Sequence, residues 1–380
     1  MVTLKSKKNC CGCGACETVC RSGAITLKED AEGFWYPAID TDKCTECGLC
    51  DKICLFGKKE TSAPALKCYI AQHKDDSVCD GSTSGGMYTA FSDVILDQGG
   101  VIYSPDFAED MSVVHKRIST KAERDFSRGS KYVQSIPNGF HKNLICDLKE
   151  GLTVGLFGTP CQISGVLACV PEKYKANLYC IDVICNGVGS PMAWQKYVEA
   201  LRKKYHKKPK KYFFRPKSKG YLTTSELVVF EDGSEREISF GPDKYNSYYH
   251  AGLISRPSCT NCIYASFDRI SDITIGDYSK ENIDRVTFDR SRGLSTLLVN
   301  DAKGEHLLAL CEKNLILFPS DFNAVSQIRL RHCAKENPNR SSFLKIIKEK
   351  GFIAARNKTN GLIKRLKIRV AIFIRKLKDK

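Results

Sequence analysis

The chain has 380 residues, 42% of them hydrophobic and 27% charged, a balance that fits a folded globular protein and excludes a disordered one. Its formal net charge is +16, and its 20 cysteines are far more than packing requires. No run of 18 apolar residues occurs, so we expect no membrane span. No secretory signal precedes the first cysteines, and we therefore expect reduced thiols in the cytoplasm rather than disulfides.

Two cysteine runs share the spacing C-x2-C-x2-C-x3-C. They are Cys10, Cys13, Cys16, Cys20 and Cys44, Cys47, Cys50, Cys54. This spacing holds [4Fe–4S] clusters in bacterial ferredoxins, where the fourth cysteine of each run ligates the other cluster. One such run could be chance or a zinc site, but two in succession predict two clusters. The predicted ligand sets are Cys10, Cys13, Cys16 and Cys54 for one cluster and Cys44, Cys47, Cys50 and Cys20 for the other.

The runs depart from the ferredoxin pattern in one respect. A proline usually follows the fourth cysteine, and here Arg21 and Leu55 take that place. We expect this to affect cluster potential and shielding more than ligation. Cys11 is an additional thiol, interpreted as a bystander or as a substitute for a neighbouring ligand. Residues 1–60 are thus predicted to form a 2[4Fe–4S] ferredoxin-type domain.

Residues 65–345 are predicted to form a larger α/β domain with a mixed sheet, because apolar strands alternate with helical segments. The predicted strands are Cys68–Gln72, Val101–Ser104, Thr153–Phe157, Leu178–Ile184, Ile270–Ile275 and Gly293–Asn300. The predicted helices are Met87–Leu96, Gly139–Glu150, Gln162–Cys169, Met192–Tyr205 and His306–Lys313. Further strands alternate over 211–240, with a hairpin turn at 231–234. Functional loops are expected at the carboxyl ends of the strands.

Standard nucleotide and hydrolase motifs are missing from the sequence, including GxGxxG after a strand, GxxxxGK[ST] and GxSxG. Six other motifs occur in order: DGSTSGG (80–86), GSKY (129–132), GTPCQ (158–162), ICNGVGSP (184–191), RPSCTNC (256–262) and RISDITIGD (269–277). Together with the cysteine runs, they resemble the coenzyme F420 hydrogenase/dehydrogenase beta-subunit family of iron–sulfur flavoproteins. The usual C-H-G of the fourth motif is Cys185-Asn186-Gly187 here, which puts any role of that histidine in doubt.

The resemblance implies an FAD beside seven residues: Ser84, Gly85, Gly86, Lys131, Tyr132, Gly158 and Thr159. Hydroxyls and unhindered backbone N–H groups suit a pyrophosphate, and a lysine could neutralise it. The resemblance also implies a third [4Fe–4S] cluster on Cys161, Cys185, Cys259 and Cys262. The alternatives for these four are buried apolar cysteines or a zinc site.

The remaining cysteines are expected to be packing residues: Cys68, Cys79, Cys146, Cys169, Cys180, Cys311 and Cys333. Asp277 ends an apolar strand, where it is either functional or a turn cap. Arg256, Arg269 and Arg340 could bind an anionic substrate, but pairing with acids on the surface is the favoured interpretation. No catalytic residue is predicted.

Two basic runs contribute much of the charge. Residues 202–219 contain ten Lys/Arg and no acid, and residues 356–380 contain ten against one acid. Neither carries a nucleic-acid-binding motif, so nucleic acid is not expected as a partner. Residues 351–380 have the composition of a basic amphipathic helix, which predicts peripheral contact with the inner face of the membrane or docking on protein.

These features predict an iron–sulfur flavoprotein oxidoreductase that takes electrons from a ferredoxin-like protein and reduces a small molecule. The expected substrate is a sugar intermediate of polysaccharide synthesis, with coenzyme F420 or a tetrapyrrole as alternatives that the resemblance offers. A second hypothesis is an electron-transfer subunit of a larger complex, with the run at 202–219 as its docking face. A third is that the clusters are only structural.

Overall fold

The computed structural model describes residues 6–54, 63–217, 225–239, 241–278, 288–359 and 361. The first of these ranges is a small module with two short helices and one hairpin. Its elements are α1 Ala15–Val19, β1 Ile25–Glu29, β2 Trp35–Ile39 and α2 Leu49–Ile53. β1 pairs with β2 in antiparallel register, with Leu27 opposite Pro37. Each helix begins after a glycine in the left-handed conformation, Gly14 and Gly48, which lets the chain turn sharply between cysteines.

The larger part of the chain is built on an eight-stranded mixed sheet. Its strands are β4 Lys67–His73, β5 Val101–Phe107, β6 Val113–Ile118, β7 Val154–Gly158, β8 Leu178–Val183, β13 Ile273–Tyr278, β14 Leu294–Val299 and β15 Leu315–Pro319. Their order across the sheet is β15-β4-β14-β13-β8-β7-β5-β6. Strands β13, β8, β7 and β5 are parallel. β4 runs in the same direction, because both β4 and β13 are antiparallel to β14. The carboxyl ends of five strands therefore meet at one edge of the sheet.

Helices cover both faces of this sheet. They are α3 Asp76–Asp80, α4 Met87–Asp97, α5 Lys121–Phe126, α6 Phe140–Lys149, α7 Pro160–Cys169 and α10 Ala302–Cys311. Alternation along the strands builds the two apolar layers: Ile102 and Phe157 pack in the layer of α4 and α10, whereas Tyr103 and Leu156 pack in that of α6 and α7. A doubly covered sheet explains why its strands read as continuous apolar runs.

A second, aromatic-rich core lies beside the sheet and centres on the buried Trp194. Its elements are α8 Pro191–Tyr205, β9 Pro209–Phe213, β10 Glu226–Phe230, β11 Glu235–Ile238, α9 Tyr245–His250 and α11 Arg340–Lys350. β9, β10 and β11 form a small antiparallel sheet. A two-stranded ladder, β3 Ala63–Pro64 with β12 Asp268–Arg269, completes the strands of the described residues.

The predicted fold class is confirmed: a small ferredoxin-like module precedes a mixed-sheet α/β unit. Three predicted boundaries are wrong, and the first is that the strand expected to end at Ser104 continues to Phe107. The strand expected from Ile270 begins at Ile273, because the Asp272 side chain accepts from the Cys180 N–H at 2.6 Å and lies 3.3 Å from Lys303 Nζ. The helix expected from His306 begins at Ala302, because Asp301 caps its N-terminus.

Within the residues described, no helix is both long and apolar enough to cross a bilayer. Two thirds of the predicted amphipathic tail, 351–380, lie outside those residues, which include only 351–359 and 361 of it. The 1–60, 65–345 and 351–380 boundaries stay predictions.

Candidate functional site

The first predicted ligand set is gathered at one place in the small module. The thiols of Cys10 and Cys16 interact electrostatically with each other and with those of Cys13 and Cys54. Burial is the main cause that raises the pKa of Cys10 and of Cys16. The crossover of Cys54 into the first run is the arrangement that the sequence predicts. A thiol that is costly to ionise in isolation suits a site where iron stabilises the thiolate.

The second predicted set lies at the surface of the same module. Cys47 is exposed and interacts electrostatically with Cys20 of the other run. Cys44, on the loop before Cys47, and Cys50, in α2, are partly buried. The crossover is thus reciprocal, as in ferredoxins with two clusters.

Four cysteines of the larger part form a third set. The Cys185 thiol interacts electrostatically with the thiols of Cys259, Cys161 and Cys262. They come together because β7 and β8 are parallel neighbours: Cys161 stands at the start of the helix after β7, and Cys185 stands in the loop after β8. Burial raises the pKa of Cys259 to about 11 and that of Cys262 to about 12.

Cys11 connects the first and third sets. It is buried, and its thiol interacts electrostatically with those of Cys13 and Cys161. Interaction with these two thiols raises the pKa of Cys11, and interaction with Cys11 lowers the pKa of Cys161 to about 7. Gly165, one turn after Cys161, packs directly on Cys13. The first and third sets are therefore neighbours across the contact between the two parts of the chain.

Sets of four cysteine thiols have the donor chemistry that a [4Fe–4S] cluster requires. Among the described residues, no group of three or more His, Cys, Asp or Glu side chains converges as the ligands of one ion do. The ligands of a four-iron cubane hold four different irons and need not converge on a point. Polar atoms beside the first set are buried without a partner in the described structure, namely Tyr36 Oη and His141 Nε2. His141 lies against Gly14, with its Cε1 3.2 Å from the Cβ position there, so a side chain at position 14 would be crowded by the His141 ring.

A cavity of about 880 Å³ opens at the edge where the parallel strands end, large enough for a cofactor-sized ligand. Six of the seven residues expected beside FAD line it: Ser84, Gly86, Lys131, Tyr132, Gly158 and Thr159. Gly86 caps the eleven-residue helix α4, whose first residues also line the cavity. A helix N-terminus with hydroxyl groups beside it is a favourable site for a pyrophosphate.

Gly85 stands behind the cavity wall. Its N–H donates to Ser295 Oγ at 2.9 Å, and a Cβ at this position would lie 2.5 Å from the Ala71 carbonyl oxygen. Gly85 is thus required for the close packing of the loop on β4 and β14, which fixes where Ser84 and Gly86 stand.

Lys131 is buried and oriented by two oxygens. Its Nζ donates to the Ser127 carbonyl and lies 3.9 Å from an Asp106 carboxylate oxygen. Burial lowers the pKa of Lys131 to about 8. Tyr132 beside it stacks on Tyr249, with centroids 4.6 Å apart.

The cavity wall is strongly cationic. Its basic residues are Arg128, Lys131, Arg215, Lys244 and Arg329. Asp277 is the one acid among the described lining residues, and it pairs with Arg215. Asn186, which stands where the family has histidine, accepts a hydrogen bond from Arg329. The cavity therefore suits an anionic ligand.

Cys185 also lines this cavity, and Thr159 donates to or accepts from the Cys161 sulfur at 3.3 Å. The third set thus stands between the cavity on one side and the first set on the other.

Other predictions of single residues are corrected. The arginines expected on the surface are buried, with exposed fractions of 1% for Arg256, 6% for Arg269 and 7% for Arg340. Arg269 pairs with buried Asp182 at 2.7 Å, and Arg340 pairs with Glu32 at 2.9 Å. Cys146, expected to pack, is exposed.

Sequence reasoning did not identify several residues of the site. Arg215, Asn246, His250, Gln327 and Arg329 line the cavity from separate segments. Of these, only Arg215 could have been found from the sequence, through its place in the basic run 202–219. The other four are polar residues that belong to no motif.

Two family models match the chain. Residues 9–58 match a 4Fe–4S dicluster domain, and residues 151–321 match the family described as the C terminus of the coenzyme F420 hydrogenase/dehydrogenase beta subunit. No curated protein sequence matches the chain. A chain from the F420-reducing [NiFe] hydrogenase complex of Methanosarcina barkeri aligns at 18% identity and a TM-score of 0.45, covering 78% of this chain and 92% of that one.

The matched residues contain both cysteine runs and four of the six motifs, whereas DGSTSGG (80–86) and GSKY (129–132) lie outside them. The chain is therefore similar to a 4Fe–4S dicluster domain over residues 9–58 and to the C terminus of the coenzyme F420 hydrogenase/dehydrogenase beta subunit over residues 151–321.

Proposed function

We propose that this protein is an oxidoreductase that binds three [4Fe–4S] clusters and FAD, takes electrons from a ferredoxin-like protein and transfers them to a small molecule. One observation carries the proposal: the third cysteine set borders the cationic cavity through Cys185 and the first set through Cys11. This order of sites is what a relay between a surface donor and a buried reaction site requires.

The cysteines of each set would hold one cluster, and the cavity would hold FAD. When bound, clusters carry single electrons, and FAD accepts them singly and releases them in pairs. Ser84, Gly86 and the first turn of α4 would bind the pyrophosphate, with Lys131 neutralising it. Tyr132 and Tyr249 form an aromatic wall, and Arg215 and Arg329 would orient an anionic group of the substrate.

The cavity favours an enzyme over an electron-transfer subunit that has no site of its own. The face proposed for docking in that second hypothesis is partly neutralised, because three of its lysines pair with acids. These are Lys204 with Asp243, Lys207 with Asp232 and Lys208 with Glu231. The sugar intermediate stays a prediction, as do F420 and a tetrapyrrole, the ferredoxin-like donor, peripheral membrane contact and a cytoplasmic location.

The experiment compares two serine variants purified under argon. Cys185→Ser removes a proposed ligand of the third cluster and should reduce iron by about four per chain. Cys333→Ser is the matched control, since Cys333 is partly buried nearby and donates to the Thr260 carbonyl at 3.1 Å, between Cys259 and Cys262. Equal iron in the two variants would contradict the third cluster.

A further inference from the structure

Arg256 is a buried cation at the contact between the dicluster domain and the larger part of the chain. It belongs to the larger part, but two of its donors bind backbone of the dicluster domain: Nε donates to the Cys10 carbonyl and Nη2 to the Trp35 carbonyl, each at 2.9 Å. Nη1 donates to Gln134 Oε1 at 2.8 Å. Nη2 also lies 3.8 Å from Cys10 Sγ. All three guanidinium nitrogens are therefore fixed in direction.

The surroundings hold the guanidinium in this position. It lies over the Tyr36 ring at 4.3 Å and near the Phe34 ring at 5.4 Å. Gly12 leaves room for it, because a Cβ at Gly12 would stand 2.9 Å from Nη1 and Nη2. A larger residue at position 12 would displace the arginine from the first cysteine set.

No carboxylate pairs with Arg256 among the residues that the structure describes. The two other buried arginines of this region each have one, Asp182 for Arg269 and Glu32 for Arg340. A buried cation without a counter-charge is strongly unfavourable, so an anionic group should stand beside it.

Cysteine sulfurs are the candidates for that group. Arg256 interacts electrostatically with Cys10 and Cys13 of the first set and with Cys161 and Cys259 of the third. The strongest electrostatic influences on Cys20 and Cys47 of the second set come from groups other than Arg256. One cation is thus shared by two of the three sets.

We propose that Arg256 is a positioning residue whose charge raises the reduction potential of the cluster on the first set, and also that of the cluster on the third set. The second part rests on the proposed function, whereas the first needs only the dicluster domain. A fixed positive charge beside a cluster stabilises the added electron, and in a buried site water screens it little. The second set, beyond this charge, keeps its potential.

The test is a redox titration of whole protein, followed by electron paramagnetic resonance, for wild type and Arg256→Gln. In Arg256→Gln we expect the ratio of reduced to oxidised cluster, measured from one dicluster-domain signal at a fixed potential, to fall at least tenfold. For a one-electron couple this corresponds to a shift of about 59 mV. The other signal of that domain should not move. Arg340→Gln is the control for the dicluster-domain signals, because Arg340 joins the same two parts of the chain through Glu32 but hydrogen-bonds no cysteine of the first set. It is not a control for the third set, since Arg340 interacts electrostatically with Cys259.

If the Arg256→Gln protein does not retain its clusters, Gln134→Glu provides a second test of the same proposal. It leaves the guanidinium in place and sets a carboxylate against Nη1, so the same signal should shift in the same direction. Gln134→Met loses the amide, which donates to the Cys11 carbonyl at 3.1 Å, without adding charge, and should shift less. The proposal would be overturned if the cluster potentials were unchanged in a cluster-loaded Arg256→Gln or Gln134→Glu protein. It would also be overturned if both dicluster-domain signals shifted equally, or if Arg340→Gln shifted the same signal by the same amount. Eight irons in wild type would refute the third cluster and still leave the first part testable.

Discussion

Alanine substitution of two glycines in the dicluster domain, Gly33 and Gly23, tests how tightly this domain packs on the larger part of the chain. Gly33 has φ +83°, and a Cβ there would lie 2.3 Å from Met192 Cβ and 2.8 Å from Ser190 Oγ. Gly23 has φ +65°, and its Cβ position has nothing within 4 Å. Both glycines are in the left-handed region, so alanine strains the backbone in either case, but only at position 33 does it also collide with α8.

The two substitutions should therefore differ by the collision alone. Left-handed backbone costs an alanine about 1–2 kcal/mol at both positions. Overpacking typically adds about 1–3 kcal/mol at Gly33. At about 2–4 °C per kcal/mol, the apparent melting temperature of Gly33→Ala should fall roughly 2–12 °C below that of Gly23→Ala.

The assay is thermal unfolding under argon at one scan rate, together with iron release to a chelator at a fixed temperature. Gly33→Ala should also release iron faster, because separating the domain exposes the first cysteine set, which lies against α7. Equal melting temperatures and equal iron release for the two variants would refute the packing described here.

Three further predictions concern buried residues of the protein. Gly165→Ala should destabilise the protein although alanine favours helices, because the new Cβ would stand 2.6 Å from Cys13 Cβ; a higher melting temperature would contradict this. Lys131→Met should weaken FAD binding about tenfold or more in a fluorescence titration, and wild-type binding should weaken above about pH 8 as Lys131 loses its proton; equal affinities would remove Lys131 from the site. Burial raises the pKa of Glu226 to about 7, so the folded protein holds a proton that the unfolded chain releases, and stability should fall as pH rises from about 4.5 to about 7. Glu226→Gln should flatten this slope in thermal scans, and an unchanged slope would exclude Glu226 as its source.

Local patterns in the sequence predicted much of the fold. Apolar runs between helical segments placed β7 and β8, and parallel pairing then brought the loops after them together. The cysteine spacing predicted the crossover, and the electrostatic contacts of Cys54 with the first run and of Cys20 with Cys47 agree with it.

Contacts between distant segments could not be predicted in this way. Arg256 meets Cys10 across 246 positions, and no periodicity links them. The place of Cys11 between Cys13 and Cys161 depends on how the dicluster domain packs on α7, which spacing does not encode. Cys146 was expected to be buried from its residue type alone, but it faces outward on α6, where the apolar stripe consists of other residues.

The central claim is that one chain holds three clusters and a flavin in series, and cofactor stoichiometry tests it most directly. Iron, sulfide and flavin should be measured per chain after anaerobic purification. The account predicts about twelve irons, about twelve sulfides and one FAD. Eight irons with no flavin would contradict it, leaving a dicluster domain joined to a domain whose cavity serves another ligand.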